Sequence, residues 1–260
     1  MFKTAFRYLL YKLFAPHRKG FGVHSPFVFH LVSKVFSQKD DENLKQIGVW
    51  RKKISMDKTM LFTSNTGAGS QVHKENGRSV GSIARKSSIK HKYGRVLYAL
   101  SLDIKPSTII ELGTGIGIST AYLAKACPMA QVISLEGDIE KLKFARHSFE
   151  LLGLQNVITK DGLFYDLLPG ILAGMNHPVL FFIDGDHSYR GTLLYFEKIL
   201  KKAQEDTVVI FDDIRWSPDM ERAWNEIKMN EKVSISIDLF FMGIVFFRDG
   251  IEKQDFVINF

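Results

Sequence analysis

From residue 107 onward, short apolar runs rich in β-branched and aromatic residues alternate with stretches of helical periodicity. This alternation predicts βαβ units, whose right-handed crossovers build a parallel sheet with helices on both faces. The predicted strands cover residues 107–112, 131–135, 156–160, 178–183 and 207–211. The predicted helices cover residues 118–127, 138–152, 189–203 and 218–230. The fold class is therefore α/β.

The C-terminal part of the chain predicts the edge of this sheet. The segment "VSISIDLFFMGIVFFRDG" holds two strand-like runs with little between them, which predicts a closing antiparallel hairpin. The segment "QDFVINF" would add an edge strand. Together these patterns predict a Rossmann-like, doubly wound, mostly parallel sheet of seven strands with an antiparallel last strand, over residues 93–260.

Residues 1–92 predict a mostly helical accessory region. A helix over residues 2–14 would carry one apolar stripe, which we expect to pack on the domain or on a second subunit, giving a homodimer. The stripe consists of Phe2, Phe6, Leu9, Leu10, Leu13 and Phe14. Ser25 is the expected N-cap of a following helix. Residues 63–79 are polar and glycine-rich and predict a long loop, either a lid over a ligand or a disordered linker.

Charge and cysteine content limit the setting of the protein. The first 100 residues carry a formal charge of +14 and the remainder −7. The basic half would suit nucleic acid or a membrane surface, or it is simply a solvated region. No apolar run reaches the roughly 18–20 residues of a membrane span, and the first twenty residues lack a signal-peptide pattern. Cys127 has no second cysteine to pair with, so we expect a cytoplasmic protein.

The stretch "IIELGTGIGISTAYLA", residues 109–124, predicts a ligand site. Ligands of open α/β sheets lie beyond the carboxyl ends of the strands, where glycine lets the backbone approach and a helix start offers N–H groups. A dinucleotide and S-adenosylmethionine both bind at such places. The dinucleotide pattern G-x-G-x-x-G would need a third glycine where Ile118 stands. Glu111 would also repel a pyrophosphate.

The pattern E-x-G-x-G-x-G resembles motif I of the class I S-adenosylmethionine-dependent methyltransferases. The resemblance implies that Glu111 takes the ammonium group of the cofactor, directly or through water. It implies that the turn and the start of the next helix hold the methionine end of the cofactor. The cofactor-binding residues so implied are Glu111, Gly113, Thr114, Gly115, Gly117 and Ser119.

The next two strand ends add acids to this predicted cofactor site. Glu136 ends the second strand, 23 residues after Gly113, where a carboxylate can accept both ribose hydroxyls. Dinucleotide folds share that feature. Asp161, in "TKDGLF", resembles the acid that contacts adenine in the methyltransferases, with Gly162 leaving room for the ring.

Acids also follow the fourth and fifth strands. Asp184, Asp186 and His187 follow the fourth strand, and Asp212 and Asp213 follow the fifth. Parallel strands bring such ends together, and four carboxylates there would be costly without a cation or a ligand. Oxygen ligands suit Mg²⁺ or Ca²⁺.

The segment "IDGDHSY" resembles a segment of O-methyltransferases, namely those related to the catechol and caffeoyl-CoA enzymes and those that act on small molecules and sugars. The resemblance to these enzymes covers roughly residues 93–250. That resemblance implies that Asp184, which would also face the cofactor, holds a divalent cation with Asp212 and Asp213. The cation would lower the pKa of a substrate hydroxyl. His187 stands where relatives place a lysine and would be the catalytic base beside Asp184.

These patterns predict a methyltransferase that transfers a methyl group from S-adenosylmethionine to an oxygen of a small molecule or sugar-like acceptor. "IDGDHSY" replaces the Asn/Asp-Pro-Pro-aromatic segment of base N-methyltransferases. Two alternatives stay open at this point. One is a nicotinamide-dependent oxidoreductase. The other is a non-catalytic Rossmann-like protein whose basic N-terminal region docks on nucleic acid or membrane.

Overall fold

The computed structural model describes residues 2–18, 20–62 and 77–260, and the side chains from Phe6 onward in these ranges. The predicted lid or linker at 63–79 lies almost wholly outside the described residues. The chain divides into two compact units. One unit is Lys39–Asp186, and the other combines Met1–Gln38 with His187–Phe260. The division into an accessory region and a methyltransferase domain at residue 92 stays a prediction.

The helices and strands follow the predicted alternation. In the described residues the helices are α1 (Phe2–Phe14), α2 (Pro26–His30), α3 (Glu42–Ile54), α4 (Val80–Lys86), α5 (His91–Ile104), α6 (Ile118–Ala126), α7 (Ile139–Leu151), α8 (Phe164–Ala173), α9 (Tyr189–Leu200) and α10 (Pro218–Met229). The strands are β1 (His17–Arg18), β2 (Met60–Leu61), β3 (Arg78–Ser79), β4 (Thr108–Leu112), β5 (Gln131–Glu136), β6 (Val157–Asp161), β7 (Val179–Ile183), β8 (Val208–Phe211), β9 (Ile235–Asp238), β10 (Gly243–Phe246) and β11 (Gln254–Asn259).

The unit Lys39–Asp186 contains a parallel sheet with the strand order β7, β4, β5, β6. Every residue of β4 and β7 is buried, as expected for inner strands covered on both faces. The register pairs Glu111 with Ser134 and Glu136 with Asp161. The acids predicted at three strand ends therefore lie along the same edge of this sheet.

The second unit contains five strands in the order β1, β11, β9, β10, β8. β10 pairs antiparallel with both β8 and β9, which confirms the predicted closing hairpin. The prediction of β11 as the edge strand is wrong, because β11 pairs in parallel with β9 and the short β1 pairs with its other side. The strand predicted in "QDFVINF" does form, as β11, whereas β1 was not predicted. The predicted α/β class is confirmed.

Helix α8 is an element that the sequence pattern did not predict. Its sequence contains Pro169 followed by Gly170, and both residues normally interrupt a helix. The helix persists through them because Leu168 and Leu172, one turn apart, are both buried. Tertiary packing thus overrides the local preference of the chain.

Helix α1 forms where it was predicted, but it packs with a different face. The side chains of Phe6, Leu9, Leu13 and Phe14 are 54–74% exposed. The packed face carries Tyr11, which is buried and whose hydroxyl donates to the Ile258 carbonyl oxygen. The expectation that the apolar stripe packs on the domain is therefore wrong, and a second subunit as its partner stays a prediction.

Cys127 is buried in the unit Lys39–Asp186, and its thiol donates to the Ser101 carbonyl oxygen over 3.2 Å. Burial raises the pKa of this thiol to about 11. The group therefore stays protonated and unreactive near neutral pH. In the part of the chain that the structure describes, none of the helices has the length and apolar character needed to cross a membrane.

Candidate functional site

The turn after β4, residues 113–117, is called the glycine turn here. Gly113, Gly115 and Gly117 have φ values of +109°, +53° and +88°, a region that other residues rarely adopt. A Cβ atom on Gly113 would lie 2.2 Å from the Asp184 carbonyl oxygen. A Cβ atom on Gly117 would lie 2.6 Å from the Phe149 ring. These two glycines are required by contacts within the protein itself.

Gly115 differs from its two neighbours because a Cβ atom there would meet nothing within 4 Å among the described residues. The backbone at this position borders open space at the carboxyl end of β4. Its N–H group donates to Glu136 Oε2 over 2.8 Å. Gly115 is thus the point of the glycine turn where a ligand can approach the backbone closely.

Glu136 connects the glycine turn to the start of α7. Its Oε2 atom accepts from Gly115, and its Oε1 atom accepts from the Asp138 backbone N–H over 3.0 Å. The side chain is half-buried, and each carboxylate oxygen can accept a second hydrogen bond. The carboxylate is therefore fixed in place and still able to accept ligand hydroxyl groups. Asp161, its register partner on β6, is exposed.

Glu111 is a fully buried carboxylate directly before the glycine turn. Its Oε2 atom accepts from Thr120 Oγ1 over 2.5 Å and also from the Ser134 hydroxyl. Its Oε1 atom is buried and makes no hydrogen bond within the described residues. Burial raises the pKa of Glu111, and the hydrogen bonds from neighbouring hydroxyl groups oppose this rise. A cation at Oε1 would remove the cost of this desolvated charge.

Two other predicted cofactor residues surround Glu111. Thr114 Oγ1 lies 2.6 Å from Ser134 Oγ, so the threonine belongs to the same hydroxyl network. Ser119 is buried in the first turn of α6, and its hydroxyl lowers the pKa of Glu111. The residues of the motif thus form one connected polar group around the acid.

Asp184 follows β7 and lies against the glycine turn. Its backbone N–H donates to the Leu112 carbonyl oxygen over 2.8 Å, which continues the pairing of β7 with β4. Gly185 is packed tightly, since a Cβ atom there would lie 2.5 Å from the Phe164 ring. The structure therefore brings Asp184 to the same edge as Glu111 and Glu136.

The remaining predicted residues belong to the other compact unit. His187 opens its second segment, and its ring centroid lies 6.4 Å from that of Trp216. Asp212 is buried, and Asp213 has a φ of +53°. The turn of residues 212–216 is called the aspartate turn here.

The metal triad of Asp184, Asp212 and Asp213 gains no support from the structure. In residues 2–18, 20–62 and 77–260, no three or more His, Cys, Asp or Glu side chains form a group that could hold a metal ion. Asp184 belongs to one compact unit and Asp212 and Asp213 to the other, and the role of these three residues as metal ligands stays a prediction. The cofactor and catalytic roles of the individual residues stay predictions.

The aspartate turn is held by an ion pair that the sequence pattern missed. Arg215 donates through Nη1 and Nη2 to the two carboxylate oxygens of Asp238, over 2.7 and 2.6 Å. Asp238 is almost fully buried and also accepts from Trp224 Nε1 and from the Phe240 backbone N–H. No local pattern could have indicated this pair, because its members are 23 positions apart and meet only in the folded chain.

Comparison with known proteins locates the same segment. Residues 110–214 match the family described as a methyltransferase domain. A catechol O-methyltransferase of Niastella koreensis is 28% identical over 130 residues. That match covers 49% of this chain and 58% of the relative, so the chain spans little more than half of the relative's length.

Solved structures resemble the chain over a longer range. An SAH-bound methyltransferase of Podospora anserina has a TM-score of 0.59 at 14% identity and covers 82% of this chain and 91% of its own. An O-methyltransferase of Bacillus cereus in complex with SAH has a TM-score of 0.55 at 22% identity. This match covers 85% of this chain and 97% of the Bacillus cereus chain. At these identities the likeness concerns the fold. The matched segment 110–214 contains the glycine turn and its acids, this segment is similar to methyltransferase domains, and the fold of the chain is Rossmann-like.

Proposed function

We propose that this protein is an S-adenosylmethionine-dependent methyltransferase that methylates an oxygen of a small-molecule or sugar-like acceptor. The observation that carries the proposal is the open space beside the Gly115 backbone, in the turn that follows the buried carboxylate of Glu111. A related protein is described as a catechol O-methyltransferase, and solved neighbours carry SAH. The dinucleotide alternative is disfavoured because Ile118 is buried where that motif needs glycine.

The carboxylates at the carboxyl ends of β4, β5 and β6 match the hydrogen-bond donors of this cofactor. Glu111 Oε1 would accept from the ammonium group of its methionine part, which would relieve the desolvated carboxylate. Glu136 would accept from the ribose hydroxyls, and Asp161 from the adenine amino group. When bound, S-adenosylmethionine supplies a methyl group on a positively charged sulfur.

The protein's own contribution is positioning, exclusion of water and proton transfer. The Glu136 hydrogen bond to Gly115 holds the backbone in one conformation, so that a ligand at this point is bound in a fixed orientation. His187 would take the proton of the acceptor hydroxyl on an imidazole nitrogen. Loss of that proton would leave the acceptor oxygen able to receive the methyl group that the bound cofactor would supply. A dry site strengthens the electrostatic attraction for the cationic sulfur.

Titration calorimetry with S-adenosylmethionine tests the proposal directly. We expect the wild type to bind, and Glu136→Ala to bind at least about tenfold more weakly because it loses a charged acceptor. Glu140→Ala is the matched control, since Glu140 lies on α7 and its carboxylate pairs with the exposed Lys143. No binding by the wild type at millimolar cofactor would contradict the proposal. Parallel titrations with Mg²⁺ and with EDTA test whether a cation contributes.

We also propose that α1 forms the contact of a homodimer. The support is the exposure of Phe6, Leu9, Leu13 and Phe14 on one helix, an apolar cluster of the kind that interfaces cover. Light scattering should give a dimer for the wild type and a monomer for Leu9→Asp with Leu13→Asp. Val49→Asp, at another exposed apolar position, should stay a dimer. A monomeric wild type would contradict the proposal.

We propose a reducing, cytoplasmic setting on the basis of the cysteine usage. Cys127 is the one cysteine of the sequence, and it is buried and protonated rather than paired. Fractionation of cells that produce the full-length chain would test this, and recovery outside the cytoplasm would contradict it.

A further inference from the structure

The unit Lys39–Asp186 contains a cavity of about 330 Å³ that none of the predicted cofactor residues lines. It lies between α3, α4 and the starts of α5 and α6. Five basic residues line it: Arg51, Lys52, Arg85, Lys90 and His91. Among the described residues, no aspartate or glutamate lines it. A cavity with cations and without acids concentrates anions.

Two helix starts add to this positive potential. His91 is the first residue of α5, and Lys90 is its N-cap. Ile118 is the first residue of α6, and Gly117 is its N-cap. Neither helix has a side-chain cap or an acid in its first turn. The N–H groups and dipoles at both starts therefore favour an anion.

Arg51 provides a donor for such an anion. Its Nη2 atom donates to the Ile89 carbonyl oxygen over 2.8 Å, and its guanidinium group lies 5.8 Å from the centre of the Tyr122 ring. Its Nη1 atom is buried and makes no hydrogen bond within the described part of the chain. A guanidinium group that is held on one side and lines a cavity is of the kind that binds oxyanions.

The pKa of His91 is also affected by the positive charges at this cavity. Its Nδ1 atom lies 2.7 Å from the Tyr122 hydroxyl, and its Nε2 atom lies 4.0 Å from Asp40. Burial and the charge of Arg51 lower the pKa of His91, and Asp40 opposes this only in part because Asp40 pairs with Arg95. The imidazole is therefore neutral near pH 7 and would gain a proton more readily beside an anion.

We infer that this basic cavity binds a phosphate-class oxyanion, such as the phosphate or pyrophosphate group of a small molecule. Four permanently charged side chains exceed what a single carboxylate needs, and the volume admits more than one phosphate group. The amino acid part of S-adenosylmethionine is a poorer match, because its single carboxylate is accompanied by an ammonium and a sulfonium group and its net charge is positive. The site is therefore distinct from the acidic edge of Glu111 and Glu136.

In the experiment the full chain is titrated with inorganic pyrophosphate in metal-free buffer, and calorimetry measures the affinity. The test variant is Lys52→Gln with Lys90→Gln, both exposed lining residues whose loss should leave the fold intact. The control is Lys53→Gln with Lys86→Gln, neighbours on α3 and α4 that do not line the cavity. Both variants lose two positive charges, so the long-range field of the protein is matched.

We expect the test variant to bind pyrophosphate at least about tenfold more weakly than the control, since it loses two charge-assisted contacts. We also expect pyrophosphate to raise the pKa of His91 in proton NMR titrations. Equal affinities for the two variants, or no binding by the wild type, would overturn the inference.

S-adenosylmethionine binding is measured in the same samples to separate this inference from the proposed function. If the test variant loses its affinity for S-adenosylmethionine as well, the cavity serves the cofactor and the inference is wrong. If cofactor affinity is unchanged and pyrophosphate affinity falls, the inference holds. A wild type that binds pyrophosphate and no cofactor would support this site and contradict the proposed function alone.

Discussion

The glycine turn and the aspartate turn both follow buried strands, and both contain backbone in the left-handed region. In the glycine turn, three glycines take that conformation without a Cβ atom. In the aspartate turn, Asp213 takes it at a φ of +53°, and the ion pair of Arg215 with Asp238 holds the turn instead. One turn is encoded in neighbouring residues and the other by a partner that is distant in the sequence.

The difference has a functional side. A turn made by glycine keeps side chains away and lets a ligand reach the backbone, as at Gly115. A turn held by an ion pair carries side chains at each position, some buried, as at Asp212, and some exposed, as at Trp216, which is 68% exposed. Four substitutions would test this contrast.

Gly113→Ala should have the largest effect. A Cβ atom would lie 2.2 Å from the Asp184 carbonyl oxygen, and the left-handed φ adds its own penalty. The free energy of unfolding should fall by about 4 kcal/mol, measured by urea denaturation. Gly115→Ala is the matched control, with about 1 kcal/mol lost and the affinity for S-adenosylmethionine reduced. Equal losses of stability would break the contrast between a packing glycine and a ligand-facing glycine.

Asp238→Asn should come next, because it leaves the Arg215 guanidinium without its buried counter-charge. We expect a loss of about 3 kcal/mol in the free energy of unfolding, or roughly 6–12 °C in Tm by calorimetry. Glu140→Gln removes an exposed partner of Lys143 and should cost less than about 0.5 kcal/mol. If both substitutions cost the same, the ion pair does not hold the aspartate turn.

Glu111→Gln should stabilise the protein without ligand. The pKa of Glu111 is raised by burial, so its carboxyl group is protonated at a higher pH in the folded chain than in the unfolded chain. Its contribution to stability is therefore present at low pH and lost as the pH rises through the folded-state value.

Near neutral pH the free energy of unfolding of the variant should exceed that of the wild type by about 1 kcal/mol, seen as a higher Tm. This difference should shrink as the pH falls. The Glu111→Gln variant should also bind S-adenosylmethionine more weakly than the wild type does. A variant that is less stable at neutral pH would mean that the carboxylate is already compensated within the protein.

Asp213→Gly should have the smallest effect. Glycine would relieve the left-handed conformation but would also increase the freedom of the unfolded chain, so the change in the free energy of unfolding should stay within about 1 kcal/mol. Denaturation of this variant sharpens the comparison, because a large loss would mean that the Asp213 side chain itself holds the turn.

The elements that the sequence predicted are those with local causes. Short apolar runs and helical patterns placed β4 to β8 within a residue or two, and Ser25 does accept the capping hydrogen bond from Val28 over 3.4 Å. Topology then carried Glu111, Glu136 and Asp161 to one edge, because the ends of parallel strands share a side of the sheet.

What the sequence did not predict depends on distant contacts. The stripe of α1 has the periodicity of a buried face, yet Tyr11 anchors the opposite side through Ile258 and the backbone N–H of Phe260. The pair of Arg215 with Asp238 and the basic cavity of the α3 and α4 region also arise only when separate segments meet.

Cys127 makes the chain convenient for labelling chemistry. Because its thiol is buried and protonated, electrophilic reagents that react with thiolates should leave the wild-type protein unmodified. A cysteine introduced at Lys53 or at Gly115 would then carry a fluorophore or spin label alone, with no background to remove. Probes of ligand arrival at the glycine turn and at the basic cavity can thus be built in the native sequence.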